Sequence, residues 1–169
     1  QPLQQLAADF RQASAPHLES LRALQVLTER ARPTLLVVDD DPFQHKLVGR
    51  LLKDLDLRLL FAASGLEALN LLRKAQPDLI LMDYSMPEMN GVEVTRRIKG
   101  LARFAAIPII MITGNSEEQV VTESLQAGAI DFMVKPLAGA ALTAKIRNLL
   151  GGAEGVPRGA WEDLKRTDI

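Results

Sequence analysis

The chain has 169 residues, 47% of them hydrophobic, which is enough for the core of one domain of ordinary size with room for extensions. A formal net charge of −1 gives no basic excess of the kind that marks a nucleic-acid-binding segment, and the absence of cysteine excludes disulfides, thiolate metal sites and cysteine nucleophiles. No apolar run approaches the roughly 18 to 20 residues that span a bilayer, and the first residues lack a signal-peptide pattern. We therefore expect a cytoplasmic chain without membrane contact. It begins with glutamine rather than methionine, so a fragment of a longer protein is an open alternative.

Residues 1–32 are predicted to form a helical extension. Apolar residues recur there at helical spacing: Leu3, Leu6, Phe10, Leu18, Leu21, Leu24 and Leu27. Pro16 interrupts the pattern, and Ser14 is a candidate N-cap for the second half. The narrow stripe is typical of a helix that pairs in a coiled coil and would give a homodimer, whereas the alternative is a connector helix that lies on its own domain.

From Pro33 onward, short apolar runs alternate with amphipathic stretches. Five strand-sized runs are predicted, at residues 35–38, 59–62, 79–82, 107–112 and 132–134. All are apolar throughout, which is typical of strands covered on both faces. The alternation predicts an α/β fold, a doubly wound five-stranded parallel sheet with right-handed crossovers. We assign 33–150 to this domain and the glycine- and proline-rich 151–169 to a linker or tail.

Helix boundaries are also visible in the sequence. Asp41 precedes Pro42 and is predicted to be the N-cap of the first helix in this region. The buried face of that helix is predicted at four apolar positions: Phe43, Leu47, Leu51 and Leu55. Capping boxes are predicted at 64–67 and 116–119. Two glycines stand where helices would end in a left-handed residue: Gly128 and Gly151.

Polar residues follow four of the five predicted strands. They are Asp39, Asp40 and Asp41 after the first strand, Asp83 after the third, Thr113 after the fourth and Lys135 after the fifth. Ligands bind beyond the carboxyl ends of the strands in an open parallel sheet, so we expect these groups to meet at one rim. Crowded carboxylates repel one another unless a cation compensates, and Mg²⁺ suits carboxylate, phosphate and water oxygens.

That arrangement also suggests a reaction. An aspartate can attack a phosphoryl donor and form an aspartyl-phosphate, while Mg²⁺ and a lysine offset charge on the phosphoryl oxygens. The product adds about −1.5 to −2 charges at neutral pH. A nearby hydroxyl, for which Thr113 is placed, could bond the new oxygens and draw its loop inward.

Four segments resemble the receiver domains of two-component response regulators. They are Val-Val-Asp-Asp-Asp-Pro at 37–42, the phosphoacceptor-like segment 79–91, Met-Ile-Thr-Gly at 111–114, and the Lys135–Pro136 pair. The resemblance covers about residues 33–150 and implies a flavodoxin-like sheet with strand order 2-1-3-4-5. It also implies a signalling switch in a phosphorelay, phosphorylated by a sensor histidine kinase or a phosphotransfer protein. Such a domain is a phosphoacceptor rather than an enzyme, with self-catalysed phosphorylation and dephosphorylation at most.

The resemblance assigns roles to residues by position. Asp83 would be the phosphoacceptor, and Lys135 would contact the phosphoryl group, with a cis bond to Pro136. The metal ligands would be Asp40, Asp83 and the Ser85 main-chain carbonyl, with Asp39 acting through water. Thr113 would be the switch hydroxyl. Phe132 falls on the position of the switch aromatic and lacks the tyrosine hydroxyl often found there.

The resemblance further implies how the signal leaves the domain. Phosphorylation would shift the fourth helix, fifth strand and fifth helix, about residues 115–150, and so control a partner or an output domain, linked or separate. Two other functions stay open. A metal-dependent phosphohydrolase would share the carboxylates and the lysine. Such enzymes typically carry an Asp-x-Asp pair, and Asp39 and Asp41 have that spacing, but Pro42 follows them where a hydroxyl residue is expected. A receiver-like scaffold would instead dimerise through 1–32.

Simpler interpretations of single residues are open as well. Asp39 could be a loop acid, Asp83 a simple turn residue, Lys135 a solvated lysine, and Thr113 the cap of the following helix. Neither of the two histidines, His17 and His45, has a second metal ligand at suitable spacing, so we assign no site to them.

Overall fold

Strands and helices alternate along the described part of the chain, which in this computed structural model comprises residues 19–24 and 32–151. The strands are β1 (Thr34–Val38), β2 (Arg58–Ala62), β3 (Leu79–Asp83), β4 (Ile109–Thr113) and β5 (Asp131–Val134). The helices are α1 (Pro42–Leu51), α2 (Gly65–Lys74), α3 (Gly91–Lys99), α4 (Glu118–Gln126) and α5 (Gly139–Leu150). The predicted alternation of strands and helices is confirmed.

The five strands form one parallel sheet in the order β2-β1-β3-β4-β5. Because the chain moves outward from β1 in both directions, its crossovers cover both faces of the sheet. Val38, at the end of β1, pairs with Met82 of β3, so the acidic residues after β1 lie beside the end of β3. The predicted doubly wound parallel fold and its strand order are confirmed.

Each face of the sheet carries its own apolar layer. Residues such as Leu36, Ile80 and Met111 pack with side chains of α2 and α3 on one face. Residues such as Leu35, Leu81 and Ile110 pack with side chains of α1 and α5 on the other. Strands β1, β3 and β4 are buried along their whole length, whereas β2 and β5 are partly exposed. Burial along the whole strand is therefore wrong for β2 and β5, because each lies at an edge of the sheet with one neighbouring strand.

Helix α1 shows one confirmed and one wrong expectation. The carboxylate of Asp41 accepts a hydrogen bond from the Phe43 main-chain N–H at 2.9 Å, so Asp41 caps the helix as predicted. Phe43, however, is 67% exposed, while Val48 and Leu52 are buried. The predicted buried face is wrong at Phe43 because this first turn projects past the carboxyl edge of the sheet, where no strand covers it. His45 is half-buried, with its ring 5.1 Å from that of Phe61.

The ends of the other helices also bear on the site. The Ser64 hydroxyl caps α2 by accepting a hydrogen bond from the Glu67 N–H, as predicted. The Glu67 carboxylate accepts its return bond from the Ala63 N–H, one residue before the cap, and not from Ser64 itself. The second box does not form, since α4 begins at Glu118 without a side-chain cap. The Asn115 side chain accepts a hydrogen bond from the Glu117 N–H and closes a turn ahead of the helix instead. Gly128 and Gly151 both have positive φ, at 111° and 72°.

The chain divides into two units, Gln1–Arg32 and Pro33–Ile169. In the first unit, residues 19–24 are helical, in agreement with the predicted helical extension, and Leu21 and Leu24 are exposed. The predicted coiled coil over 1–32 and the linker or tail over 151–169 lie almost entirely outside the described residues. Within the described residues, every helix is too short or too polar to cross a membrane.

Candidate functional site

Three carboxylates meet at the carboxyl edge of the sheet. Asp39 and Asp40 follow β1, and Asp83 is the last residue of the neighbouring β3. One carboxylate oxygen from each of the three lies within 4.8 Å of the others. Asp39 and Asp83 are buried, whereas Asp40 is exposed at the rim. The structure thus brings together three of the acidic residues singled out by the sequence, and Asp41 stays apart as a helix cap.

A single ammonium group bridges the two buried carboxylates. Lys135 follows β5, and its Nζ donates hydrogen bonds to Asp39 Oδ2 at 3.2 Å and to Asp83 Oδ1 at 3.0 Å. Its main-chain N–H donates to the Thr113 carbonyl at 2.7 Å, and its peptide bond to Pro136 is cis, as expected. Lys135 is therefore part of the carboxylate cluster and not a solvated surface lysine.

Burial and charge compete within this cluster. Burial raises the pKa of Asp83 to about 6 from its ordinary 3.8; the hydrogen bond from Lys135 opposes this rise, and the charges of Asp39 and Asp40 add to it. Burial alone would lower the pKa of Lys135, but its hydrogen bonds to Asp83 and Asp39 outweigh burial and hold that pKa above its usual range. At neutral pH, one cation therefore faces three carboxylates, and the excess negative charge favours binding of a divalent cation.

The hydroxyl predicted to act as a switch is engaged by its own loop. Thr113 ends β4 and is buried. Its Oγ1 donates to the Asn115 carbonyl at 3.0 Å and accepts from the Asn115 N–H at 3.1 Å. The hydroxyl closes the turn that leads into α4, which differs from the alternative in which it caps the helix directly.

The other two predicted site residues lie on β5 and in the loop after β3. Phe132, on β5, is half-buried and packs against the same apolar layer as Tyr84 and Met89. Ser85 is exposed, two residues after Asp83, in the loop between β3 and α3. That loop is closed by a hydrogen bond from the Gly91 N–H to the Tyr84 carbonyl at 2.9 Å.

Two features of the site were not anticipated from the sequence. At Gly91, a Cβ would stand 2.1 Å from the Asp83 carbonyl oxygen, so only glycine lets α3 start this close to β3. Tyr84 donates a hydrogen bond from its hydroxyl to Glu123 Oε2 of α4 at 3.1 Å. The glycine stands in the segment that carries the resemblance, but nothing local pairs a tyrosine with a glutamate 39 residues away.

Comparisons with known proteins agree with this geometry. The family model of the response regulator receiver domain matches residues 35–147. The transcriptional regulatory protein AfsQ1 of Streptomyces coelicolor is 38% identical over 122 residues, which are 72% of this chain and 53% of that protein. The cyclic di-GMP phosphodiesterase response regulator RpfG of Xanthomonas campestris is 36% identical over 118 residues, 69% of this chain and 31% of that protein. The chain thus spans about half or less of the length of these relatives.

Solved structures give the same result. The chemotaxis protein CheY4 of Vibrio cholerae is 29% identical with a TM-score of 0.67, covering 70% of this chain and 99% of that one. The receiver domain of the sensor histidine kinase PA1611 of Pseudomonas aeruginosa, which holds a magnesium ion in its active-site cleft, is 30% identical with a TM-score of 0.66, covering 72% and 100%. With the family match over 35–147, the chain belongs to the response regulator receiver domains, the phosphoacceptor domains of two-component signalling.

Proposed function

We propose that Asp83 is the phosphoacceptor of this receiver domain and that a sensor histidine kinase or a phosphotransfer protein is the donor. One observation carries the assignment. The Asp83 carboxylate is buried at the end of β3, bonded to the Lys135 ammonium at 3.0 Å and clustered with Asp39 and Asp40. A carboxylate held in this way has a fixed direction of attack and a cation beside the charge that develops on the phosphoryl oxygens.

We also propose Mg²⁺ as the ion of this site, with Asp40, Asp83 and the Ser85 main-chain carbonyl as its protein ligands. Asp39 would act through water. Its Oδ2 accepts from Lys135 and its Oδ1 accepts from the Asp41 N–H at 2.9 Å, so both of its oxygens already have protein partners. The excess negative charge of the cluster and the magnesium in the PA1611 receiver support the choice of ion.

The proposed reaction uses the two oxygens of Asp83 differently. Lys135 bonds Oδ1, so we assign attack on phosphorus to Oδ2. As the new oxygen–phosphorus bond forms, the bond from phosphorus to the donor histidine nitrogen breaks, and the electron pair returns to the imidazole. When bound, the ion offsets charge on the phosphoryl oxygens. Lys135, already within reach, donates to one of those oxygens.

The output would begin at Thr113. A phosphoryl group at Asp83 adds acceptors that can draw the Thr113 hydroxyl away from Asn115, and the turn before α4 then loses two of its hydrogen bonds. We propose that α4, β5 and α5 respond, with Phe132 turning as an apolar group, and that a linked or separate output domain detects the change. A cytoplasmic location completes this proposal and rests on the sequence alone.

Phosphorylation of the full chain by acetyl phosphate with Mg²⁺ tests the assignment. Intact mass should show one added phosphoryl group on the wild type and none on Asp83→Asn. Asp41→Asn is the matched control, because Asp41 caps α1 outside the carboxylate cluster and asparagine is also a good N-cap. Uptake of phosphoryl by Asp83→Asn would contradict the proposal. Multiple-turnover release of phosphate from small phosphoesters would favour a phosphohydrolase instead.

Self-association through residues 1–32 is a separate proposal about partners. In the described part of this extension, Leu21 and Leu24 stand three residues apart on a helix and are exposed by 48% and 59%. Two such side chains on one helical face are suited to pairing with a second copy. Sedimentation should show a dimer for the full chain and a monomer after deletion of 1–32. A truncated chain that stays dimeric would place the interface elsewhere.

A further inference from the structure

Tyr84 links the phosphoacceptor strand to α4. It follows Asp83 directly, and its main chain is fixed on both sides: its N–H donates to the Ile112 carbonyl at 2.7 Å, and its carbonyl accepts from the Gly91 N–H at 2.9 Å. Its ring is half-buried against the apolar layer beneath α2 and α3. From this fixed base, its hydroxyl reaches Glu123 Oε2 at 3.1 Å. A contact with α4 is thus attached rigidly to the residue next to Asp83.

Helix α4 itself is held by few other buried groups. Ser124 is the one buried residue among its nine, whereas α3 buries five of its nine. Its N-terminus has no side-chain cap. An element with so little buried surface has a low local stability, so a single polar contact changes its position more than it would in a well-packed helix.

Both carboxylate oxygens of Glu123 accept hydrogen bonds, and these fix the position of the group. Its Oε1 accepts a hydrogen bond from Gln119 Nε2 at 3.0 Å, one turn earlier on α4, and its Oε2 accepts from Tyr84. Gln119 therefore orients the carboxylate within the helix, and Tyr84 connects the same carboxylate to the sheet. A hydrogen bond to an ionised acceptor is among the stronger polar contacts available to a protein.

We propose that the Tyr84–Glu123 hydrogen bond favours the unphosphorylated position of α4, which makes Tyr84 a positioning residue. The proposal rests on the phosphoacceptor function assigned to Asp83. If Thr113 turns from Asn115 toward a phosphoryl group, the segment before Glu118 is released and α4 can move. The main chain of Tyr84 stays bonded to Ile112 and Gly91, so movement of α4 alone would change the distance from the Tyr84 hydroxyl to Glu123.

Binding of beryllofluoride with Mg²⁺, a stable mimic of the aspartyl phosphoryl group, provides the test on the full chain. Tyr84→Phe removes the donor, and Glu123→Leu removes the acceptor at a similar side-chain size. Because both weaken the unphosphorylated arrangement, each should raise the apparent affinity for beryllofluoride by roughly three- to tenfold. The double variant should gain no more than either single one, since all three lack the same contact. Gln119→Ala retains the Tyr84 bond and should change the affinity by less than about twofold.

A spectroscopic signal separates coupling from a merely structural contact. The chain contains one tyrosine, so the ¹³C resonance of the Tyr84 ring carbon that bears the hydroxyl is assigned without ambiguity. We expect this resonance in the wild type to move on addition of beryllofluoride toward its value in Glu123→Leu, which has no acceptor for the hydroxyl. A merely structural bond would leave it unchanged.

Two results would overturn the coupling. One is wild-type affinity for beryllofluoride in both single variants, and the other is a Tyr84 resonance that does not respond to the probe. If Tyr84→Phe fails to fold, Glu123→Leu at the half-buried position on α4 still gives both readouts. If the wild type does not bind beryllofluoride, or Asp83→Asn binds it equally well, the phosphoacceptor assignment fails together with the coupling. If the wild type binds beryllofluoride at Asp83 but the Tyr84 and Glu123 variants bind it with the same affinity, only the coupling is wrong and the phosphoacceptor assignment stands.

Discussion

The Nζ atom of Lys135 lies 3.0 Å from Oδ1 of Asp83, although the two residues are 52 positions apart and belong to the carboxyl ends of two strands separated by β4. The same ammonium reaches Asp39 at 3.2 Å. The parallel sheet makes this possible, because residues at the carboxyl ends of β1, β3 and β5 all face one edge. Lys135 therefore offsets the negative charge of both buried carboxylates, Asp83 and Asp39.

Replacing Lys135 should raise the pKa of Asp83. Burial raises that pKa to about 6, and the Lys135 hydrogen bond keeps it from rising further. In Lys135→Met, the carboxyl should therefore titrate above about 6, as followed by the ¹³C resonance of the Asp83 carboxyl carbon. Lys145→Met is the matched control, since it removes an ion pair with Asp131 outside the carboxylate cluster. An unchanged pKa in Lys135→Met would contradict this role.

The stability of the domain should depend on pH through Asp83. Its pKa is 3.8 when exposed and about 6 in the fold, so between these values the folded state binds more protons than the unfolded one. The Asp83 contribution to stability is therefore present below about pH 4 and is lost as the pH rises through about 6. Relative to wild type, Asp83→Asn should gain on the order of 1 to 3 kcal/mol between pH 4 and pH 7. Urea unfolding without Mg²⁺ measures the difference, and one that stays constant or shrinks with rising pH would refute the prediction.

Binding of Mg²⁺ should be coupled to the same proton. Below about pH 6, Asp83 must lose its proton before it can bind the ion, so the affinity should rise about tenfold per pH unit and level off above pH 7. Isothermal titration calorimetry measures this slope. Asp40→Asn should weaken binding at every pH, and Asp41→Asn should leave it unchanged. A flat profile for the wild type would mean that Asp83 is not a ligand.

Glycine at position 91 should be required for both stability and ion binding. A Cβ there would stand 2.1 Å from the Asp83 carbonyl oxygen and 3.0 Å from Met111 Sδ, and a main-chain oxygen cannot give way without moving Asp83. We expect Gly91→Ala to cost about 2 to 4 kcal/mol and to weaken Mg²⁺ binding. Gly49→Ala is the control, since no atom lies within 4 Å of its added Cβ and alanine in a helix should stabilise by about 0.5 to 1 kcal/mol. Equal effects of the two substitutions would contradict the steric account.

The phenol of Tyr84 should titrate above its ordinary range. Burial raises its pKa, and so does the hydrogen bond to the Glu123 carboxylate. Glu123→Gln should therefore lower the pKa of Tyr84 toward its usual value of 10.0. With one tyrosine in the chain, the phenolate absorbance band reports this residue directly. If the titration is the same in wild type and variant, the hydrogen bond does not persist in solution.

The sequence predicted the parts of the site that depend on topology. Once strands and helices alternate, the carboxyl ends of parallel strands must share an edge, and Asp39, Asp83 and Lys135 meet there regardless of loop detail. The fold and the strand order followed from the same alternation and from the family resemblance. The assignment of Asp41 to a helix cap was also local, since it required only the Asp–Pro pair at a helix start.

The parts that depend on loops and distant pairs could not be predicted. The second capping box failed because Asn115 accepts the Glu117 N–H before Ser116 can cap a helix, and the two arrangements use equally ordinary residues. The hydroxyl of Thr113 likewise bonds a nearby main-chain group, at Asn115, and residue type alone does not predict which group it will choose. Phe43 fits the helical stripe but is exposed in the first turn of α1. Helical periodicity shows which residues share a face, but not whether another element packs against that face.

The close approach of Gly91 to Asp83 gives the domain a stiff flank and a compliant one. On the stiff flank, α3 begins in close contact with the carbonyl of Asp83 and buries five residues, so Asp83 cannot move toward α3 without a steric clash. On the compliant flank, α4 buries only Ser124 and begins without a cap. When Asp83 is displaced, we therefore expect α4, on the far side of β4, to move more than α3 does.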